Sequence, residues 1–221
     1  MATKTKAKPK KITEDAVIGM YMEYVLEHES VPKSIYKFCK ANAIEESDFY
    51  GLFGSVEGIQ KVIWNKFYTN TEALLLKNKE YDSFSNKDKM LSFFYTFFEM
   101  LTLNRSYVLF TLQEDGGMMK NMKQLKGLRS HIKGFATDLI DDGNVEKNSK
   151  IAQHNPTIYS EGAWLQFLFV LKFWMNDTSP AFEKTDIVIE KSINTIFEVF
   201  DNTPLENIID LGKFLYKETF S

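Results

Sequence analysis

Apolar residues recur at helical spacing along almost the whole chain. Ala16, Val17, Met20, Tyr21, Tyr24 and Val25 fall three and four residues apart, which predicts a helix opened by Thr13 or Asp15 and closed at His28-Glu29-Ser30. Pro32 marks the entry to the next element. Ile35, Phe38 and Cys39 predict a short amphipathic helix, Ala41-Asn42-Ala43 a turn of small residues, and Ile44, Phe49, Leu52 and Phe53 a second short helix packed on the first. Gly54-Ser55 breaks that helix, and Ser55 is placed to cap the next. A longer helix is expected from about Ser55 to Lys79, with Ile59, Val62, Ile63, Phe67 and the Ala73–Leu76 run as its apolar positions. Tyr81–Lys89, YDSFSNKDK, reads as a polar linker and is the clearest candidate domain boundary by composition.

Beyond it, Met90–Leu103 is apolar nearly all round, the mark of a helix buried in the middle of its domain. Residues 105–115 predict another helix closed by Gly116-Gly117, and Met118–Asp141 one with Leu125, Leu128, Ile132, Phe135, Leu139 and Ile140 on one face. Asp142–Asn155 reads as a polar loop, Ile158–Met175 as a second long apolar helix, and Asn176–Pro180 as its break, with Ser179-Pro180 starting a helix that runs to about Asp201. Thr203-Pro204 then opens a last helix, about Leu205–Glu218. No stretch alternates with a strand period, so the expected fold class is all-α with about nine or ten helices.

Composition narrows the function classes. A hydrophobic share of 44% with 26% charged residues is that of a soluble globular chain, and nineteen Phe point to a core or cavity lined by large flat side chains. The net charge of −3 carries no overall basic footprint for nucleic acid. Lysines are concentrated in residues 1–11, MATKTKAKPKK, which read as a flexible tail that either lies along phosphates or is simply solvated. The lone Cys39 forms no internal disulfide and no signal peptide is visible, so a reducing cytoplasm is the expected compartment. The most apolar run, Ala163–Met175, is too short to span a bilayer and contains Gln166 and Lys172, which argues against membrane insertion. His28, His131 and His154 have no partner at metal-ligand spacing, no nucleophile motif surrounds a serine, and there is no glycine-rich phosphate loop. No enzyme, cofactor or metal site is expected.

Two short helices joined by a tight turn are the layout of a DNA-reading helix-turn-helix. The Lys33–Glu57 stretch resembles the N-terminal domain of TetR-family transcriptional regulators. That family has an apolar-x-x-apolar-Ala helix, an Ala-Gly-Val-Ser turn, a Leu-Tyr pair and then Phe-x-Ser-Lys-Glu. The matching positions are Ile35, Phe38 and Cys39, then Asn42-Ala43-Ile44-Glu45, then Phe49-Tyr50, then Phe53-Gly54-Ser55-Val56-Glu57. The resemblance covers roughly residues 12–70. It implies a tail at 1–11, a helix-turn-helix DNA-binding domain at 12–54 and a helical ligand-binding and dimerisation domain at 55–221.

What the resemblance implies for function is a regulator, in the first instance a repressor, that binds a double-stranded operator as a homodimer and answers to a hydrophobic small molecule. It puts the recognition helix at about Glu45 to Leu52, with Glu45, Glu46 and Ser47 at base edges and Tyr50 on a phosphate. Lys33, Ser34, Lys37 and Lys61 take the remaining backbone-facing positions. Candidate ligand-lining residues are Phe93, Phe94 and Phe97 from one apolar helix and Trp164, Phe167, Leu168, Leu171 and Trp174 from the other, against the plainer reading that they fill the core. The reading helix departs from the family pattern in being acidic: Glu45-Glu46-Ser47-Asp48 replaces small and neutral residues, and Val56 replaces a lysine. Residues 12–70 hold five lysines and nine acids. Carboxylates repel phosphates and accept only from base amino groups. TetR-like folds also serve lipid-binding proteins that do not read DNA, so a lipid or isoprenoid binder is the alternative. The family's turn glycine is Ala43, which is tolerated if that residue stays at negative φ.

Overall fold

The computed structural model describes residues 12–113, 121–145, 155–202 and 214. The described residues form α-helices and short 3-10 turns, with no strand among them. The chain divides into two compact units, Met1–Ile63 and Trp64–Ser221.

In the first unit, α1 spans Glu14–His28. Thr13 opens it by accepting a hydrogen bond from the Ala16 amide at 3.3 Å, and Glu14 and Asp15 place negative charge where the helix dipole favours it. Helix α2, Ile35–Ala41, is capped by Ser34, and α3 spans Glu46–Leu52. The connecting turn is held by the Asn42 side-chain amide donating to the Phe38 carbonyl at 2.9 Å and by the Ile44 amide donating to the Cys39 carbonyl at 2.9 Å. Phe38 is the centre of this unit's core, meeting Tyr21, Tyr24 and Phe49 edge-on at centroid distances of 6.2, 5.8 and 6.0 Å. Such pairs add about 0.5–1.5 kcal/mol each beyond area burial. One expectation is overturned: Ala43 sits at φ 53°, in the left-handed region, because a turn this tight must reverse the chain there whatever residue occupies it.

Helix α4, Val56–Leu75, begins in the first unit and ends in the second. Ser55 caps it, accepting from the Gly58 amide at 3.0 Å. It stops short of Lys79, and Leu74 and Leu76 are exposed rather than part of an apolar stripe, because the following Lys77–Glu80 run brings nothing to bury. The stretch expected to be a linker from 81 to 89 instead holds a 3-10 turn, Tyr81–Ser83, and the first turn of α5, Asn86–Leu103. Ser85 makes the difference: it accepts from the Asp88 amide at 3.1 Å and donates its hydroxyl to the Asp88 carboxylate at 2.6 Å. A cap of this kind lets a polar first turn fold.

The rest of the second unit comprises α6, Arg105–Gln113, a 3-10 turn at Met122–Leu125, α7, Lys126–Val145, α8, Pro156–Asn176, and α9, Glu183–Asn202. Helix α7 packs along α8, and α9 packs on α5 and α8. Helix α5 is not buried all round. Met90, Phe93, Phe94, Phe97, Phe98 and Leu101 form a buried face, while Leu103 is 77% exposed. Between α4 and α7 the backbone of Gly127 comes so close to the Asn65 side chain that a Cβ there would overlap its amide oxygen.

Helices α8 and α9 meet at a corner built on two charged groups. The Asp177 carboxylate, nearly fully buried, accepts from the amide and hydroxyl of Ser179 at 2.8 and 2.7 Å and from those of Thr185 at 2.9 and 2.7 Å. Burial pushes its pKa up, but these four donors outweigh that and bring it to about 2. The Arg105 guanidinium lies between the rings of Trp174 and Phe182, 4.4 and 4.3 Å from their centroids, and donates to the carbonyls of Trp174, Met175 and Asp177. It thereby closes the C-terminal end of α8. The helix expected to start at Ser179-Pro180 begins instead with a 3-10 turn, and Ala181 and Phe182 adopt φ of 51° and 59° before α9 starts at Glu183. The expected last helix, the 1–11 tail, Gly116-Gly117 and most of the 142–155 loop lie outside the described residues.

Candidate functional site

On the first unit the residues expected to face DNA lie on and beside α2 and α3. Ser34 is half-buried, and its hydroxyl accepts from the Lys37 amide at 3.3 Å to start α2. That leaves Lys33 and Lys37 on the outside, both exposed, with Lys61 exposed on α4. Glu45 occupies the capping position of α3, but its side chain makes no capping hydrogen bond, so its carboxylate faces solvent. Ser47 and Asp48 are exposed, Glu46 is half-buried and Tyr50 is 50% exposed. Phe49, next to it, points inward and meets Phe53 at 5.4 Å. At 3.6 residues per turn, the exposed Ser47, Asp48, Tyr50 and Gly51 fall on one side of α3, opposite the buried Phe49.

That face bears carboxylates and hydroxyls but no cation, since α3 contains no basic residue. Cations come from the flanking elements, Lys33, Lys37 and Lys40 around α2 and Lys61 on α4. Glu57, at the start of α4, is held below the usual carboxylate range by its own backbone amide and by the Ser55 hydroxyl, against a small opposing effect of burial. Cys39 is buried, and burial followed by the nearby Glu46 charge raises its pKa, which makes it a small core hydrophobe rather than a nucleophile. Sequence reasoning passed over Tyr36. Among the described residues of this unit it is the most exposed large hydrophobic side chain, at 57%, with the Lys40 ammonium 5.9 Å from its ring. Its signal was present, an aromatic residue on the polar side of α2.

In the second unit the eight candidate ligand-lining residues come together. Phe93, Phe94, Phe97, Trp164, Phe167, Leu168, Leu171 and Trp174 are all buried. Phe167 of α8 is the hub, with ring centroids 5.4 Å from Phe97, 6.3 Å from Phe94 and 5.4 Å from Trp164. Phe93 meets Phe97 at 5.6 Å, Phe135 at 4.8 Å and Tyr68 at 5.6 Å. These rings pack directly on one another. The polar groups bordering this core are few. Trp174 donates its indole N–H to the Thr102 hydroxyl at 3.0 Å, and Trp64 donates to the Gln124 side-chain oxygen at 2.9 Å.

Among the described residues no cluster of three or more His, Cys, Asp or Glu is placed to hold a metal ion, and no helix is long and apolar enough to cross a membrane. Comparison with known proteins adds one finding. A family model described as tetracyclin repressor-like, C-terminal domain, matches residues 89–215, more than half of the chain. Neither the curated proteins nor the solved structures give a match.

Proposed function

Since the chain belongs to the tetracyclin repressor-like (TetR) family, we propose that it is a DNA-binding transcriptional regulator, a repressor, whose operator affinity is set by a hydrophobic small molecule. In this reading residues 12–54 are a helix-turn-helix domain that reads DNA and residues 55–221 bind the ligand and form the homodimer, in the cytoplasm. The observation that carries it is the joint occurrence of a TetR-like body with exposed Lys33, Lys37, Tyr50 and Lys61 around two short helices, the first capped by Ser34. The lysines and Tyr50 supply phosphate contacts that set the register, and Glu45, Glu46 and Ser47 meet base edges. The effector enters between α5 and α8, where the lining is aromatic and aliphatic.

One observation favours a second reading. The outward face of α3 carries Glu45 and Asp48 and no cation, which opposes a polyanion. A TetR-fold protein that carries a lipid or isoprenoid chain and no longer reads DNA needs no basic reading face.

Titration of the purified full-length chain against its own upstream DNA, followed by fluorescence anisotropy, separates the two. The regulator binds that fragment more tightly than scrambled DNA and loses affinity by orders of magnitude between about 50 and about 200 mM salt. Tyr50→Ala weakens it further. Equal affinity for both fragments, together with an extractable lipid found by mass spectrometry of the native protein, overturns the regulator in favour of the lipid carrier.

A further inference from the structure

Charge is segregated on the first unit. Between residues 12 and 54 the chain has eight acids but only three cations, Lys33, Lys37 and Lys40, and no arginine. All three lysines lie on or beside α2, while α1 and α3 contain neither lysine nor arginine. No acid occurs between Val31 and Ile44. Among the described residues none of the three lysines is in an ion pair.

Helix periodicity gathers these cations around one aromatic residue. Tyr36, Lys37 and Lys40 fall on one side of α2, opposite the buried Phe38 and Cys39, and Lys33 stands one residue before the Ser34 cap. All four are exposed, and the Lys40 ammonium lies 5.9 Å from the centre of the Tyr36 ring, within cation–π reach. A phenol left in water among ammonium groups brings a hydroxyl and a flat apolar face to the same place as the positive charge. That combination suits nucleic acid, whose backbone offers anionic oxygens beside sugars and bases. The α3 side carries the exposed carboxylates of Glu45 and Asp48 and repels the same partner.

Resting on the regulator reading above, we propose that the outer face of α2 is the backbone grip of this protein, with Tyr36 and Lys40 as DNA contacts beside Lys33 and Lys37. The Tyr36 hydroxyl donates to a phosphate oxygen, and the Lys40 ammonium neutralises a neighbouring phosphate. Affinity and sequence discrimination then belong to different helices. The α2 face supplies the first, and the acids of α3 supply only the second, by accepting from base amino groups and penalising sequences that offer none.

The test is anisotropy titration of the full-length chain against its own upstream duplex and a scrambled duplex of equal length, in a salt series from about 50 to about 200 mM. Tyr36→Phe, which keeps the ring, weakens binding to both duplexes by the same factor, about tenfold for one charge-assisted hydrogen bond. Lys40→Ala also weakens both equally, and it flattens the slope of log affinity against log salt by about 0.9 for each chain on the duplex. Lys40→Arg restores that slope. Thermal midpoints stay at the wild-type value, since both side chains are exposed. Wild-type binding that survives Tyr36→Phe and Lys40→Ala with unchanged affinity and slope overturns this inference and leaves the regulator reading standing. A loss confined to the upstream duplex also overturns it, since the two residues would then read bases. A wild-type chain that binds neither duplex at the lowest salt overturns both.

Discussion

The Trp64 indole nitrogen donates to the Gln124 side-chain oxygen at 2.9 Å, with Trp64 wholly buried and Gln124 6% exposed. Gln124 passes the connection on, its amide donating to the Thr111 carbonyl at 3.0 Å. One glutamine side chain therefore ties the second-unit portion of α4 to α6 through the 3-10 turn that precedes α7. An apolar side chain at 124 orphans two buried groups at once, which is costlier than the bonds are worth.

Gln124→Leu is expected to lower stability by about 2–4 kcal/mol, because a buried donor and a buried acceptor both lose their partner. Trp64→Phe orphans only the glutamine oxygen. Urea denaturation of the two single variants and the double should show non-additivity of about 1 kcal/mol or more, since the pair is in direct contact. Strict additivity would remove the hydrogen bond from the account.

Gly58→Ala should disrupt the junction between α3 and α4. A Cβ at 58 would overlap the backbone carbonyl of Phe53, which has no flexible side chain to move aside. The expected loss is about 1–3 kcal/mol, the range for forced overpacking. Gly51→Ala is the control, with open space around the Cβ, and should cost nothing through sterics. Thermal unfolding of the two variants side by side checks the contrast.

Ala43→Gly is expected to stabilise the protein. At φ 53° an alanine pays for its Cβ where glycine does not, roughly 1–2 kcal/mol, and the extra entropy of an unfolded glycine returns part of that. A net gain of about 0.5 kcal/mol in urea titration is the expected result. A loss would mean that the turn relaxes to negative φ in solution.

Acid should attack the α8–α9 corner late. The Asp177 pKa is lowered to about 2, below its unfolded value, so its contribution is complete above the unfolded pKa, near pH 4. It is lost as the pH falls from there through about 2. Asp177→Asn should therefore flatten the stability profile between about pH 4 and pH 2 while lowering stability at neutral pH, by about 2 kcal/mol for the charge-assisted bonds it weakens. Unfolding midpoints across that range, wild type against variant, provide the measurement.

Legibility from sequence followed the range of the forces involved. Phe38, Phe49 and Phe53 could be assigned to a core because helical periodicity reports one-sided burial without knowledge of the partner surface. Helix ends with a strong local code were also readable, as at Thr13 and Ser55, each of which accepts an amide three residues on. The Ser85 cap has the same code but was hidden in a stretch whose polar composition suggested a linker. For the candidate site, the family resemblance singled out Lys33, Lys37 and Tyr50, which are exposed, but Tyr36 was missed because no family motif position falls on it.

The sequence by itself determined the all-α class, the order of the main helices and the resemblance to the TetR family, because periodicity, capping and motif spacing are local. Only the tertiary structure decided which face of α5 is covered, that Phe167 is the hub on which aromatic rings from α5 and α8 converge, and that Arg105 is held between Trp174 and Phe182. It also decided that Ala43 is left-handed and that Asp177 is buried and saturated by donors. These depend on residues tens of positions apart meeting at ångström precision, or on a chain reversal that overrules the preference of the residue making it. Hydrophobic pattern is degenerate with respect to both, since many arrangements of the same helices would bury the same stripes.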